Sequence, residues 1–213
     1  MLPAAQIAKK AIHLVILFVL HSCSKMRLLQ VNIQSVNTSS YLLKVATQQH
    51  QPDIVALQEV WKLPDDFKIP GYTLCSKKLR TEKTGGGVAI FCKDNVKYVD
   101  LKEEYQCDGL EATWCDIMVK GRRTVLGSVY INVGQLKELE ILDKVIQKIL
   151  KSNKNLIVCM DANSRNPLWD PSSLKLKPSS QVRRMGDALS QLVLENSIYS
   201  QQLWNDIWKW TIY

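Results

Sequence analysis

Three apolar runs in this chain stop abruptly on an amide or a carboxylate. MRLLQVNI (26–33) carries Asn32 near its end, DIVAL (53–57) breaks into Gln58-Glu59, and LIVCM (156–160) breaks into Asp161-Ala162-Asn163. Short, near-continuous apolar runs are the signature of strands buried on both faces. Such strands need a covering layer on each side, which excludes a helical bundle. With 213 residues the chain can build one sizeable core. It shows no internal repeat and no interdomain linker.

The intervening segments fill in a mixed α/β order. Apolar positions 42, 43, 45 and 46 suggest a short helix at 41–50, stopped before Pro52. Strands are expected at about 72–78, at VAIFC after Gly85-Gly86-Gly87, and at 96–101, 110–119 and 123–131. Residues 135–151 and 181–195 have helical apolar spacing, and a polar loop covers about 164–180. Strands and helices alternate in the first and last thirds around a hairpin-rich middle, as in a mixed α/β sandwich.

Composition narrows the class. The chain is 46% apolar and 23% charged, which excludes collagen-like and wholly disordered readings. Its formal charge is +8, compatible with a polyanionic partner. The six cysteines include no CxxC pair, and His13, His21 and His50 are not placed to complete a zinc site. Reduced structural cysteines of an intracellular protein are expected. Residues 1–25 stand apart: Lys9-Lys10 precede the ten-residue run AIHLVILFVL, too short to span a bilayer as a helix. Segment 8–23 resembles a secretory signal, and a start at Met26 explains it equally well. A free-standing helix or a disordered arm is expected there.

Loops beyond strand ends are where α/β sheets build sites. Carboxylates gathered there can hold Mg²⁺, a hard cation that keeps water and also binds phosphate oxygens. Asparagine adds neutral donors for phosphate without repulsive charge. Taken singly, an Asn at a strand end reads as a turn residue, Gln-Glu as a solvated loop start and Asp-x-Asn as an Asx turn. Their joint order is more specific.

VNIQS, DIVALQEVW, GGGVAIF, GSVYINV and LIVCMDANSRNPLWD, in this order, resemble the exonuclease–endonuclease–phosphatase superfamily. They are most similar to the apurinic-type endonuclease domain of non-LTR retrotransposons. The resemblance covers about residues 26–198, leaving 1–25 as an atypical apolar segment and 199–213 as a Trp-rich tail unlike the family. It implies a DNase I-like fold, two mixed β-sheets in a sandwich flanked by helices, with the last strands missing. It also implies metal-assisted hydrolysis of a phosphodiester, with Mg²⁺ as cofactor and Mn²⁺ as its substitute. Glu59 resembles the metal ligand, and Asn32 the amide that organises metal and phosphate. Tyr130 matches the tyrosine on the scissile phosphate. Asp161 matches the carboxylate that orients or deprotonates water, and Asn163 the amide supporting the transition state.

Several positions depart from that pattern. Tyr130 is followed by Ile131-Asn132-Val133 where prolines are common, Met160 stands for a glycine and Ala162 for a phenylalanine. A later Ser-x-x-Asp strand and closing Asp-His pair have no counterpart before Tyr213, and no histidine follows His50. The expectation is therefore a truncated DNA endonuclease domain of retrotransposon origin, impaired in turnover, with an exposed sheet edge that the tryptophan tail partly covers. A reverse transcriptase region of the full-length element is its implied partner, and a stable membrane partner is not expected. Two other readings remain: a non-catalytic remnant, or a phosphoesterase acting on RNA or phospholipid. Arg122-Arg123, Lys77-Lys78-Leu79-Arg80 and Arg183-Arg184 are candidate phosphate contacts. Asn32, Glu59 and Asp161 are expected in one acidic cleft.

Overall fold

The computed structural model describes residues 13–19, 26–81, 85–119, 121–152, 154–196, 200–201 and 210–212, with side chains placed within 26–196. Eleven strands and four helices are described. In chain order they are β1 (His13–Val19), β2 (Met26–Asn32), α1 (Val36–His50), β3 (Ile54–Gln58), β4 (Tyr72–Lys78), β5 (Val88–Lys93) and β6 (Tyr98–Asp100). Then follow α2 (Lys102–Tyr105), β7 (Glu111–Val119), β8 (Arg122–Tyr130), α3 (Leu136–Lys151), β9 (Asn155–Asp161), α4 (Gln181–Glu195), β10 (Ser200–Gln201) and β11 (Trp210–Ile212). They form two mixed sheets, ordered β1-β2-β3-β5-β4 and β10-β11-β9-β8-β7-β6. β2–β3 and β8–β9 are the parallel pairs.

Strand alternation sorts each sheet's side chains into two layers. From β2, Leu29 and Val31 join Val55, Leu57, Ala89 and Phe91 under Leu43 and Ala46 of α1. From β8 and β9, Val125, Val129, Leu156, Val158 and Met160 pack against α3 and α4, through Leu142, Ile146, Met185 and Leu189. The intervening residues, among them Leu28, Ile54, Ile90, Cys92, Leu126 and Ile157, fill the layer between the sheets. Fully burying such an aliphatic side chain stabilises the fold by about 1.5–3 kcal/mol. Gly127 is glycine for a packing reason: a Cβ there would collide with the ring of Trp114.

Three expectations are corrected. Residues 13–19 are neither a free helix nor a disordered arm, because β1 pairs antiparallel with β2 along its whole length. An alternating or apolar run of seven has no local signal for its partner, so only the long-range pairing decides between strand and helix. The rest of 1–25 lies outside the described residues. Helix α1 begins at Val36, five residues before the apolar spacing suggested. The polar stretch Asn37–Ser40 is held helical because Val36 is buried and Thr38 bonds back to the carbonyls of Gln34 and Ser35. The loop at 164–180 contains a short 3-10 helix, Pro171–Lys175, whose Asp170 side chain accepts from the Ser172 amide.

The edges of β2 and β9 are covered, by β1 and β11 respectively. Trp210 opens β11, opposite Met160, while Trp204 and Trp208 lie outside the described residues. Cys75, Cys92, Cys107 and Cys115 are free thiols. Among the described residues no helix is long and apolar enough to cross a membrane.

Candidate active site

The parallel pairings bring the polar strand ends together. In one sheet Asn32 stands opposite Gln58, and in the other Tyr130 stands opposite Asp161. Because parallel strands end on the same side, both rows finish at one rim of the sandwich. There the Asn32 side-chain amide donates to Glu59 Oε1 at 2.7 Å and to Asp161 Oδ2 at 2.6 Å. One buried amide thus ties together two carboxylates from opposite sheets. Its own oxygen accepts from the Gln34 backbone amide at 3.2 Å.

A polar layer lies directly beneath. Gln58 Nε2 donates to Ser128 Oγ at 3.0 Å and to the Cys159 carbonyl at 3.3 Å, crossing between the sheets. Ser128 Oγ in turn donates to the Leu57 carbonyl, and Gln30 Nε2 to the Met160 carbonyl at 2.8 Å. Gln30, Gln58 and Ser128 are all buried. Gln58 is therefore a clamp rather than the start of a solvated loop. Sequence reasoning missed Gln30 and Ser128, although both stand two residues before a predicted site residue and so share its face of the strand.

The loops that leave these strands are strained. Gln34, Ser35, Glu59, Trp61 and Asn163 all have φ between 46° and 89°. Non-glycine residues avoid that region, and such strain persists only where surrounding contacts over-determine it. The determining contacts are present. The Ser35 amide donates to the Glu59 carbonyl at 2.8 Å, the Val36 amide to Val60 at 3.2 Å, and the Trp61 amide to Gly86 at 2.8 Å. Asn163 donates from its backbone to Asp161 Oδ1 and from its side chain to the Ile131 carbonyl at 2.9 Å. The Asx turn read from Asp161-Ala162-Asn163 is thus present, and it also fixes the carboxylate.

Tyr130 completes the rim. Burial, together with the Glu59 and Asp161 carboxylates, pushes its phenol well above the ordinary tyrosine range, so it stays a proton donor. The Arg80 guanidinium lies 5.9 Å from the centre of its ring. Arg80 donates to Glu111 and to the Asn132 side chain, and Glu111 Oε2 accepts from the Gly87 amide at 2.7 Å. Glu138, raised chiefly by burial, accepts from the Asn132 backbone and side chain, both at 2.8 Å. Nothing local in the sequence marks this cluster, since its members come from four separate segments.

All five predicted site residues, Asn32, Glu59, Tyr130, Asp161 and Asn163, converge at this rim. The basic pairs do not all follow. Arg122 and Arg123 open β8 at the end opposite Tyr130, roughly 25 Å away along the strand, and Arg123 is paired with Asp116. Arg183 is paired with Asp187. His50 sits in the last turn of α1, but the β1–β2 register sets His13 opposite Asn32.

The family model described as Endonuclease/Exonuclease/phosphatase family matches residues 29–212. The chain belongs to this family. The match runs on through residues 199–212, and the family is generally dependent on a divalent metal. Solved structures share the fold. The endonuclease domain of TRAS1, a telomere-specific non-LTR retrotransposon, is 17% identical over 88% of this chain and 84% of its own, with a TM-score of 0.65. An AP endonuclease from Archaeoglobus fulgidus is 19% identical over 82% and 72%, with a TM-score of 0.57. The 3' phosphatase NExo from Neisseria, bound to a product DNA hairpin, is 18% identical over 82% and 72%, with a TM-score of 0.55. No curated protein matches the chain in sequence. The architecture is thus the DNase I-like sandwich of two mixed sheets flanked by helices.

The donor set suits a hard cation. Among the described residues no group of three or more His, Cys, Asp or Glu side chains could hold a metal alone. Mg²⁺ does not require one, because it is usually held by one or two carboxylates, with water and substrate phosphate completing its shell. Glu59 offers one such carboxylate, with the Asn32 side chain against it.

Proposed function

We propose that this chain is a Mg²⁺-dependent phosphodiester hydrolase acting on DNA, an endonuclease of the non-LTR retrotransposon type. The observation that carries the reading is the Asn32 bridge, which holds the Glu59 and Asp161 carboxylates at one rim between the sheets. The fold shared with a retrotransposon endonuclease domain and with a DNA-bound phosphatase supports DNA as the substrate class. The basic balance of 28 to 20 supports it as well.

Glu59, with Asn32 beside it, would hold the metal, and Mn²⁺ would serve in its place. When bound, that ion offsets charge on the phosphoryl oxygens. Asp161 orients the attacking water and takes its proton, and its position is fixed by the amides of Asn32 and Asn163. Tyr130 keeps its proton and donates it in a hydrogen bond to a phosphoryl oxygen. The Asn163 side chain is held by the Ile131 carbonyl and bonds the Tyr130 hydroxyl, which places both groups toward the phosphate. In a longer element, a reverse transcriptase region would use the nick that this site makes.

Nicking of supercoiled plasmid tests the reading. Mg²⁺-dependent nicking by the 213-residue chain, abolished in Asp161→Ala and weakened in its metal dependence by Glu59→Gln, is the expected result. Absence of nicking would favour the non-catalytic remnant. Salt-insensitive cleavage of a phospholipid, or cleavage of RNA alone, would replace DNA as the substrate. The impaired turnover expected from sequence is measured in the same assay. His13→Ala then asks whether the register position opposite Asn32 serves the reaction.

A further inference from the structure

Beside the catalytic rim lies a trough whose floor has no side chains. Gly85 forms that floor, with φ of 95°, and Gly86, with φ of 66°, runs beneath the Arg80–Glu111 pair. A Cβ on Gly85 would find only Trp61 Nε1 at 3.9 Å and Arg80 Nη1 at 4.0 Å, so those two groups are its walls. Gly86 cannot carry a side chain at all, because a Cβ there would collide with Glu111 and Arg80.

Both walls adjoin the site. The Trp61 indole N–H donates to Glu59 Oε2 at 3.4 Å, and the Arg80 guanidinium lies over the Tyr130 ring. Trp61 is 40% exposed, an unusual condition for the largest apolar side chain. Its φ of 59° is costly for a bulky residue, and its amide is held to Gly86 by a 2.8 Å hydrogen bond. Between Glu59 and Trp61, Val60 is fully buried and its amide donates to the Gly87 carbonyl at 3.2 Å. The fold therefore spends strain to keep an indole at the surface next to the Glu59 carboxylate. Arg80 is fixed as firmly: Nε and Nη2 bond to Glu111 and Asn132, while Nη1, facing Gly85, donates to none of the described residues.

We propose that this trough is a nucleotide subsite. The base next to the scissile phosphodiester stacks on Trp61, and a backbone phosphate oxygen accepts from Arg80 Nη1. An aromatic face accepts any base, and a single stacked base is sequence-tolerant. A planar guanidinium with one free edge suits a phosphate oxygen. The glycine floor lets the strand lie flush. This subsite rests on the DNA-hydrolase reading above, and it gives that site a means of holding the strand without reading its sequence.

The test uses 12-residue DNA duplexes carrying one 2-aminopurine, moved stepwise along one strand, in EDTA so that no metal-dependent cleavage occurs. The intact chain is expected to quench the probe at one or two adjacent positions. Trp61→Phe should retain most of the quenching. Trp61→Leu, which keeps apolar bulk without a ring, should abolish it and weaken binding on the order of tenfold. Arg80→Gln should lower the salt slope of binding by about one. In Mg²⁺, Trp61→Leu should raise KM for plasmid by a similar factor with a smaller change in kcat. Quenching and KM unaltered in a folded Trp61→Leu protein overturn the subsite, even if nicking is robust. Trp61-dependent quenching by a chain that nicks no DNA sustains the subsite and defeats the nuclease reading.

Discussion

Along one face of the same strands, the layer between the sheets changes character within four residues. Leu28 leads through Gln30 to Asn32, Ile54 through Ala56 to Gln58, Leu126 through Ser128 to Tyr130, and Ile157 through Cys159 to Asp161. Four residues span only about 13 Å of strand. The apolar end is closed by Cys75, Cys92 and Cys115, where hydrogen bonding to neighbouring thiols, together with burial, raises the Cys75 and Cys92 thiols far above their ordinary range. Such thiols stay protonated and act as small apolar fillers. The polar end instead holds two carboxylates close together, five strained backbone positions and a hydrogen-bonded glutamine layer. One end supplies stability, and the other uses some of it to hold groups that would separate in water.

The comparison breaks most sharply at Asp161. Asp161→Ala should lower the nicking rate by about 10²–10⁴-fold while leaving the denaturation midpoint nearly unchanged. A mutant that loses stability in proportion to activity would show the carboxylate to be structural. At the apolar end the opposite split is expected. Leu126→Ala should cost about 2–5 kcal/mol in urea unfolding, yet leave Mg²⁺-dependent nicking per folded molecule close to the parent's.

Gln58 separates the two ends, so its replacement should do both things at once. Gln58→Leu leaves Ser128 Oγ without its donor from β3 and frees the carbonyl of Cys159. A loss of about 1–3 kcal/mol is expected, together with slower nicking as Glu59 shifts. Unchanged activity would mean the rim holds its shape without the layer beneath.

The smallest effect is electrostatic. Tyr130 and Tyr72 both hold their protons more tightly than free tyrosine, Tyr72 to about 12, in each case chiefly because of burial. An unfolded chain releases those protons near pH 10, so between pH 10 and the folded values the native state binds more protons. Stability should therefore fall as pH rises through that window. Ultraviolet titration should show a late tyrosinate phase that Tyr72→Phe and Tyr130→Phe each diminish. Full ionisation by pH 10.5 in the native protein would contradict it.

The sequence alone determined the layers and the strand ends. DIVALQ, LIVCMD and MRLLQVN have lengths and abrupt polar stops that local physics reads directly, whereas Tyr130 and the site roles of Asn32, Glu59, Asp161 and Asn163 came from the family resemblance. Register and partnership could not be read that way. Residues 13–19 carry no local cue that β2 is their partner, and the polar start of α1 also depends on the bonds of the Ser35 and Val36 amides to the Glu59 and Val60 carbonyls. Gln30, Gln58 and Ser128 look like ordinary polar residues until two sheets close over them. Arg80, Glu111 and Asn132 become one cluster only when three segments meet. A strand's face and its end are local properties set by the period of two, whereas which strand lies beside it depends on closing loops of tens to more than a hundred residues. That closure is decided by burial and hydrogen bonding in the folded whole, which is why tertiary structure alone assembled the rim.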